Sequence, residues 1–328
     1  MKTRTALSVL CGAILLMSGC DQTFAPKTEF QEQYVLQAFV QGDVGKAPMT
    51  MNALLAKTYN VDGFDPSANT NDPAIDSALV TIRVNARQDT LKERHRADKD
   101  SLRYGPVQRY YSGRITTPSP SELVYISARL PNGRVLAAQT IIPVPRPVVS
   151  SYEFPHGVTT RANLPAGVHS WTLSWPGDAD PSGHVFFPRL QILYSKTVDT
   201  VEVVGSISVP MTFAGGIKAI YPTSTFETSC TFDFAAIESA MAQVSGGDPQ
   251  KNKYGVHSVV FEVLEYDAAL SKYYSSINGS LDQFSIRIDQ PVFSNVGGGI
   301  GIFGSSLDNK DTYDLDYAFV TSFGYRYR

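Results

Sequence analysis

Cysteine is scarce: Cys11, Cys20 and Cys230 are the only three in 328 residues. A disulfide-dense scaffold of the kind that holds small secreted domains together is therefore excluded. Neither acidic nor basic residues are in large excess. The formal net charge is −3 and the pI is near 6.0, so there is no basic surplus to attract nucleic acid. The apolar run at residues 6–17 is too short for a bilayer crossing, which needs about 20 residues. Glycine (25) and proline (20) stay near ordinary usage, which excludes collagen-like and low-complexity architectures. What is present is material for a core. Hydrophobic residues make up 43% and charged residues 18%, a balance that folds rather than staying disordered. At about 150 residues per domain the length predicts roughly two domains.

The first twenty residues read as an address. Lys2 and Arg4 precede the apolar run, and Met17-Ser18-Gly19-Cys20 follows it. Basic residues followed by a short apolar stretch have the layout of a secretory signal. Small residues just before a cysteine make it similar to a bacterial lipoprotein signal. That resemblance implies cleavage before Cys20, diacylation of its sulfur and acylation of the new amine. A single acyl chain binds a membrane only marginally, at about 0.8 kcal/mol per buried methylene, whereas several chains anchor firmly. The expected partner is thus a membrane, reached through lipid on Cys20, and the expected location is the cell envelope, in the outer membrane. Removing residues 1–19 takes away Lys2, Arg4 and Cys11 and leaves Cys230 as the only free thiol, expected to be a buried, small apolar side chain. Residues 20–33 are polar and read as a tether.

Beyond the tether the chain reads mostly as strands. Residues 34–40, 49–56 and 78–84 carry strand signals, and residues 62–73 read as a loop. The segment 88–103 is dense in both charge signs and predicts a solvated loop or a short exposed helix. Asn132-Gly133, between apolar runs at 125–130 and 134–142, predicts a hairpin with a tight positive-φ turn. Pro143, Pro145 and Pro147 cannot continue a central strand, which sets a domain boundary near residue 148. After it, Trp171 to Trp175 alternates large apolar residues, and residues 189–194 and 200–209 predict further strands. The pattern is similar to the early strands of a fibronectin-type or immunoglobulin-like sandwich with a core Trp. Residues 234–244 predict a helix that Asp233 caps and Gly246-Gly247 ends, and residues 267–275 a second. Residues 256–265, 283–289 and the aromatic tail at 317–325 alternate as strands. The expected fold is mostly β: an N-terminal β-sandwich at 34–148 and a C-terminal β-rich sandwich domain at 149–328 with one or two short helices.

Near the C-terminus the chain reads Phe293-Ser294-Asn295-Val296-Gly297-Gly298-Gly299-Ile300-Gly301-Ile302-Phe303-Gly304. This resembles the closing signature of domain-of-unknown-function family 4249. The hairpin at Asn132-Gly133, the prolines after it and the lipoprotein signal fit the same resemblance. It implies a β-rich, Gram-negative envelope lipoprotein whose genes often lie near outer-membrane TonB-dependent receptors. It implies no catalytic residues, because the family has none assigned.

Catalytic motifs are missing too. Residues 299–304 fit G-x-G-x-x-G, but a dinucleotide site needs a following helix and a βαβ unit. Too little chain follows, so a glycine corner packed against a core is expected, with residues 305–311 as a turn. His95, His156, His169, His184 and His257 show no ligand spacing. Acidic stretches at Asp62, Asp65 and Asp72 and at Asp308, Asp311, Asp314 and Asp316 match no EF-hand and read as turn formers. Asp76-Ser77-Ala78, Asp89-Thr90-Leu91, Asp100-Ser101-Leu102 and Asp199-Thr200-Val201 fit a short O-glycosylation pattern. No cofactor, metal or catalytic residue is therefore expected. The leading functional expectation is a non-enzymatic binding or assembly lipoprotein, accessory to TonB-dependent transport. The alternative is an envelope glycan or peptide hydrolase with Glu262 and Glu265 as its paired carboxylates.

Overall fold

Burial with a period of two builds most of the chain. In β1 (Tyr34–Gly42), Leu36, Ala38 and Val40 are buried while Phe39 and Gln41 face outward. The structure is a computed structural model and describes residues 30–43, 47–61, 65, 69–97, 107–150, 169–177, 183–278 and 293–328. The first half continues with β2 (Met49–Lys57), β3 (Leu79–Val84), β4 (Arg87–Ala97), β5 (Val107–Ile115), β6 (Leu123–Arg129) and β7 (Val135–Ile141). The second half contains β8 (Val149–Ser150), β9 (Ser170–Ser174), β10 (Phe186–Val198), β11 (Val201–Val209), β12 (Thr212–Ala214), β13 (Lys218–Ile220) and β14 (Ser229–Asp233). It ends with α1 (Phe234–Gln243), β15 (Tyr254–Tyr266), α2 (Ala268–Asn278), β16 (Ile300–Asp314), α3 (Tyr317–Ser322) and β17 (Arg326–Tyr327). The protein is mostly β, as its sequence predicts.

Strands of both halves join one sheet, in the order β11-β10-β15-β16-β1-β2-β5-β4-β3-β6-β7, with β17 beside β15. The two halves meet where β1 runs parallel to β16 over eight residue pairs, Val35 opposite Ile300 through Gly42 opposite Leu307. The sheet folds over at β4, whose residues 87–91 pair with β3 and whose residues 92–97 pair with β5. This sets β1, β2 and β5 against β3, β6 and β7 around a shared core. A two-way backbone bridge between Ala137 and Gly297 ties β7 to the chain entering β16. In the second half, the three-stranded sheet β14-β9-β8, α1 and α3 contribute to the core of β10 and β15. Trp171 fills that core, edge-on to Tyr313 at 4.9 Å, and its indole N–H donates to Ser150 Oγ at 2.7 Å.

Two hydrophobic cores result. One gathers side chains from residues 36–142 with Val296, Phe303 and Leu307, and the other gathers side chains from residues 171–325. They divide at the proline-rich connector, which is held in place by buried polar contacts. Arg146 grips Glu265 with two hydrogen bonds of 2.7 Å, donates to the Pro176 carbonyl at 2.8 Å and gives its backbone N–H to Asn309 at 3.0 Å. Both cores belong to one compact unit, residues 33–58 and 70–328. The described residues 30–32, 59–61, 65 and 69 belong to a separate unit.

Several elements differ from the sequence-based expectation. The charged stretch expected as a loop or helix is strand β4 as far as Ala97, with Leu91 its one buried residue. Its charges fit because both faces are largely solvated while the backbone is satisfied by β3 and β5. The tail expected as a strand is helix α3, started by Asp316, whose carboxylate accepts from the Phe319 N–H at 3.1 Å. Helices α1 and α2 fall where expected, so α3 makes three α-helices among the described residues. Asp233 occupies the N-cap of α1 but makes no side-chain capping bond. The Asn132-Gly133 hairpin forms between β6 and β7, with Gly133 at φ +84. The strand expected at 283–289 lies outside the described residues.

Candidate functional site

The face of the central strands turned away from both cores carries a groove of about 510 Å³. Its floor follows from strand register. Arg189 on β10 closes one end, with its register neighbours Glu262 on β15 and Lys310 on β16 beside the lining, and Phe187, Leu264 and Asp308 form the next row. Tyr266, Ser306 and Gln41 make a third row on β15, β16 and β1, and Phe39 follows opposite Gly304. One wall is α2, which presents Leu270, Tyr273, Tyr274 and Ile277 at the i, i+3, i+4, i+7 spacing of a single helical face.

Two features place that wall. Gly304 has no side chain, and a Cβ there would come within 2.6 Å of Leu270 Cβ, so the helix can lie close to the sheet. Asp267 fixes the start of α2: its carboxylate accepts from the Leu270 N–H at 2.7 Å and from the Thr140 hydroxyl. Burial pushes the Asp267 carboxyl above its ordinary value, against the opposing effect of these hydrogen bonds. Inside the groove, Phe187 packs on Tyr266 at 4.6 Å and edge-on to Tyr274 at 5.4 Å. At the mouth, Phe39 is 52% exposed and Ile277 is 45% exposed.

The charged end is internally balanced. Glu262 pairs with Arg189 and with Lys310 Nζ at 2.7 Å, and Lys310 also reaches Asp308 at 3.0 Å. Burial alone would raise the Glu262 carboxyl, but hydrogen bonds from Arg189, Asp308 and Lys310 outweigh it and hold the group at about 2. Asp308 is pushed up to about 6, first by burial and then by its hydrogen bond to the Glu262 carboxylate. The pair therefore shares one proton over a range where ordinary carboxylates are ionised, and Asp308 is the member that holds it.

The carboxylates expected as a catalytic pair are not brought together. Glu262 lies on the groove side of β15, buried and paired with Arg189 and Lys310, whereas Glu265 is buried on the opposite face of β15 between Arg146 and His184, whose Nδ1 lies 2.8 Å from it. The carboxylate that neighbours Glu262 is Asp308, which shares the Lys310 ammonium with it. Glycoside hydrolases space their carboxyls about 5–5.5 Å or about 6.5–9.5 Å apart.

The glycine-rich segment has a structural role. Ser294 Oγ accepts from the Gly301 N–H at 3.0 Å. The Asn295 side chain donates to the Phe303 carbonyl at 2.7 Å and accepts from its N–H at 2.9 Å. A Cβ on Gly299 or Gly301 would collide with the Tyr34 or Leu36 carbonyl oxygen. The segment leads into strand β16 rather than making a corner, and residues 305–311 continue that strand instead of turning. The acidic series divides likewise: Asp308, Asp311 and Asp314 lie along β16, and Asp316 caps α3. Asp72 forms a local turn by accepting from the Ala74 N–H at 2.9 Å. Among the described residues no group of three or more His, Cys, Asp or Glu side chains is placed to hold a metal ion.

Cys230 is buried on β14, in the core. Cys20 lies outside the described residues, and no helix among those described is long and apolar enough to cross a membrane. The groove itself was not anticipated. The spacing of Leu270, Tyr273, Tyr274 and Ile277 was its one readable signal, because the floor comes from four strands distant in sequence. No protein-family profile matches the chain, and no curated protein matches it significantly.

Proposed function

We propose that this protein is a lipid-anchored component of a Gram-negative cell envelope. It binds a ligand or partner rather than transforming it, as an accessory to an outer-membrane TonB-dependent transport system. The observation that carries the binding role is the preformed groove beneath α2, with aromatic walls and a charged end whose carboxylates are already engaged by Arg189 and Lys310. Such a site is concave and mostly apolar, with a few fixed polar groups. The lipoprotein-like Met17-Ser18-Gly19-Cys20 supports the anchor, and the likeness of residues 293–304 to family 4249 supports the transport association.

The test has two parts. Cells fed an alkyne-bearing fatty acid should label the wild-type chain and not Cys20→Ser, which should leave the membrane fraction. Mild detergent extraction of the wild type should then recover a transporter with it. An unlabelled wild type refutes the anchor, and repeated recovery of the chain alone refutes the accessory role.

A further inference from the structure

The geometry points to a neutral oligosaccharide as the ligand of the groove beneath α2. This rests on the reading of that groove as a binding site and adds the class of ligand. Charge comes first. Arg189 and Asp308 are the charged side chains that line the groove, one of each sign, and both are already engaged, Arg189 by Glu262 and Asp308 by Lys310. The groove therefore offers no net charge to an ionic ligand, and binding one would mean breaking a pair already made.

The polar lining is of mixed kind. Gln41 both donates and accepts, the hydroxyls of Ser306 and Tyr273 do the same, Arg189 only donates, and Asp308 accepts when ionised. A ligand with many hydroxyls matches such a set, since each hydroxyl also does both. The apolar part is largely aromatic, and Phe39 stands half exposed at the mouth. Aromatic faces suit the C–H faces of sugar rings, which are apolar on one side and polar at the edge.

Other ligand classes fit less well. The floor is the side-chain face of β10, β15, β16 and β1, all interior strands whose backbone groups pair within the sheet. An extended peptide gains much of its affinity from main-chain hydrogen bonds at a free edge, and none is available here. An acyl chain would have to lie across Arg189, Asp308 and Gln41 and would desolvate them without replacing their hydrogen bonds.

The experiment is calorimetry on the detergent-solubilised full chain with four probes: hexasaccharides of α-linked glucose, β-linked glucose, xylose and mannose. At least one should bind the wild type. Phe39→Ala and Tyr273→Ala should each weaken it by about tenfold or more, as the loss of an aromatic stacking contact does. Phe39 is exposed, so its removal leaves no core cavity, and thermal melts confirm that each variant is folded. Thr81→Ala, on a distant sheet face, should bind like the wild type. Absence of binding by all four probes overturns the inference, as does binding that Phe39→Ala and Tyr273→Ala leave unchanged. So does displacement of the bound sugar by a fatty acid or an unstructured peptide at equal concentration. Lipidation and transporter recovery are read separately, so a failed sugar assay leaves the envelope role standing and a failed label leaves the sugar site standing.

Discussion

Single side chains show how strongly burial decides chemistry here. Cys230, the thiol expected to be an inert apolar residue, is pushed up to about 12 by desolvation alone. Only the thiolate reacts, so native protein at pH 8 should resist a maleimide or disulfide reagent over hours, and Cys230 should label within minutes in denaturant. Rapid labelling of folded protein would show the site to be open. Asp308 gives a sharper case. Its carboxyl rises from 3.8 to about 6 on folding, so the folded state holds the proton more tightly than the unfolded state. The group contributes nothing to the pH dependence below about 3.8, and its penalty grows as pH rises to about 6 and stays in full above that. Glu262 runs the other way: its stabilisation is present above 4.5 and is lost as pH falls toward about 2. Asp308→Asn copies the protonated form. It should gain stability over the wild type between pH 4 and pH 7.5 in urea denaturation, while Glu262 remains in both proteins. A difference between the two proteins that is unchanged or shrinks over that interval counts against the shared proton.

At the level of elements, the glycine-rich run separates positions that look alike in sequence. Gly301 lies at φ +126, and a Cβ there would strike the Leu36 carbonyl, so Gly301→Ala should disrupt the β1–β16 pairing and leave little soluble protein. Gly297, three glycines earlier in the same signature, has only an ordinary 3.5 Å contact ahead of its Cβ. Gly297→Ala should stay within about 0.5 kcal/mol of the wild type, and equal damage from both, read by solubility and thermal melts, would refute this assignment. The sequence reads this segment as a glycine corner packed against a core and does not reveal its pairing with β1, because β1 lies more than 250 residues away. Most strands were legible for a local reason: one face is buried, so alternation survives in the residues themselves. β4 was not, since it buries little beyond Leu91 and its pairing is a matter of backbone alone. The tail misled for a related reason. Its aromatics fall two apart, but α3 buries the adjacent Phe319 and Val320, so the helical stripe and the strand pattern share the same letters. The Arg189–Glu262–Lys310 row was beyond reach, because no local pattern reveals which strands become neighbours.

The whole molecule is organised around the parallel contact between its first and last long strands. The proline-rich connector reads as a boundary in the sequence, and the two cores do divide there, yet the first core takes Val296, Phe303 and Leu307 from the far end of the chain. Without them β1 would present an unpaired edge and the core would lose three apolar side chains, two of them from β16. Burying a residue of that size contributes about 1.5–3 kcal/mol, a large share of the roughly 5–15 kcal/mol by which a domain is stable. Residues 30–142 alone should therefore be unfolded or aggregated in far-ultraviolet circular dichroism and size-exclusion chromatography. The structure also supplies the repair. Gly297 pairs antiparallel with Ala137, so the chain entering β16 runs back along β7, and Asn295 reaches the Gln139 carbonyl at 3.4 Å. Residue 142 can then be joined to residue 293 by a short glycine-rich turn, without the intervening half. That fusion, ending at residue 310, should restore β16 beside β1 and give a monomer with a cooperative melt. If residues 30–142 fold as stably alone as in the fusion, the connector is a true folding boundary and β16 only decorates the first core. If the fusion alone folds, the unit of folding is set by the strand pairing that crosses the connector, not by the prolines within it.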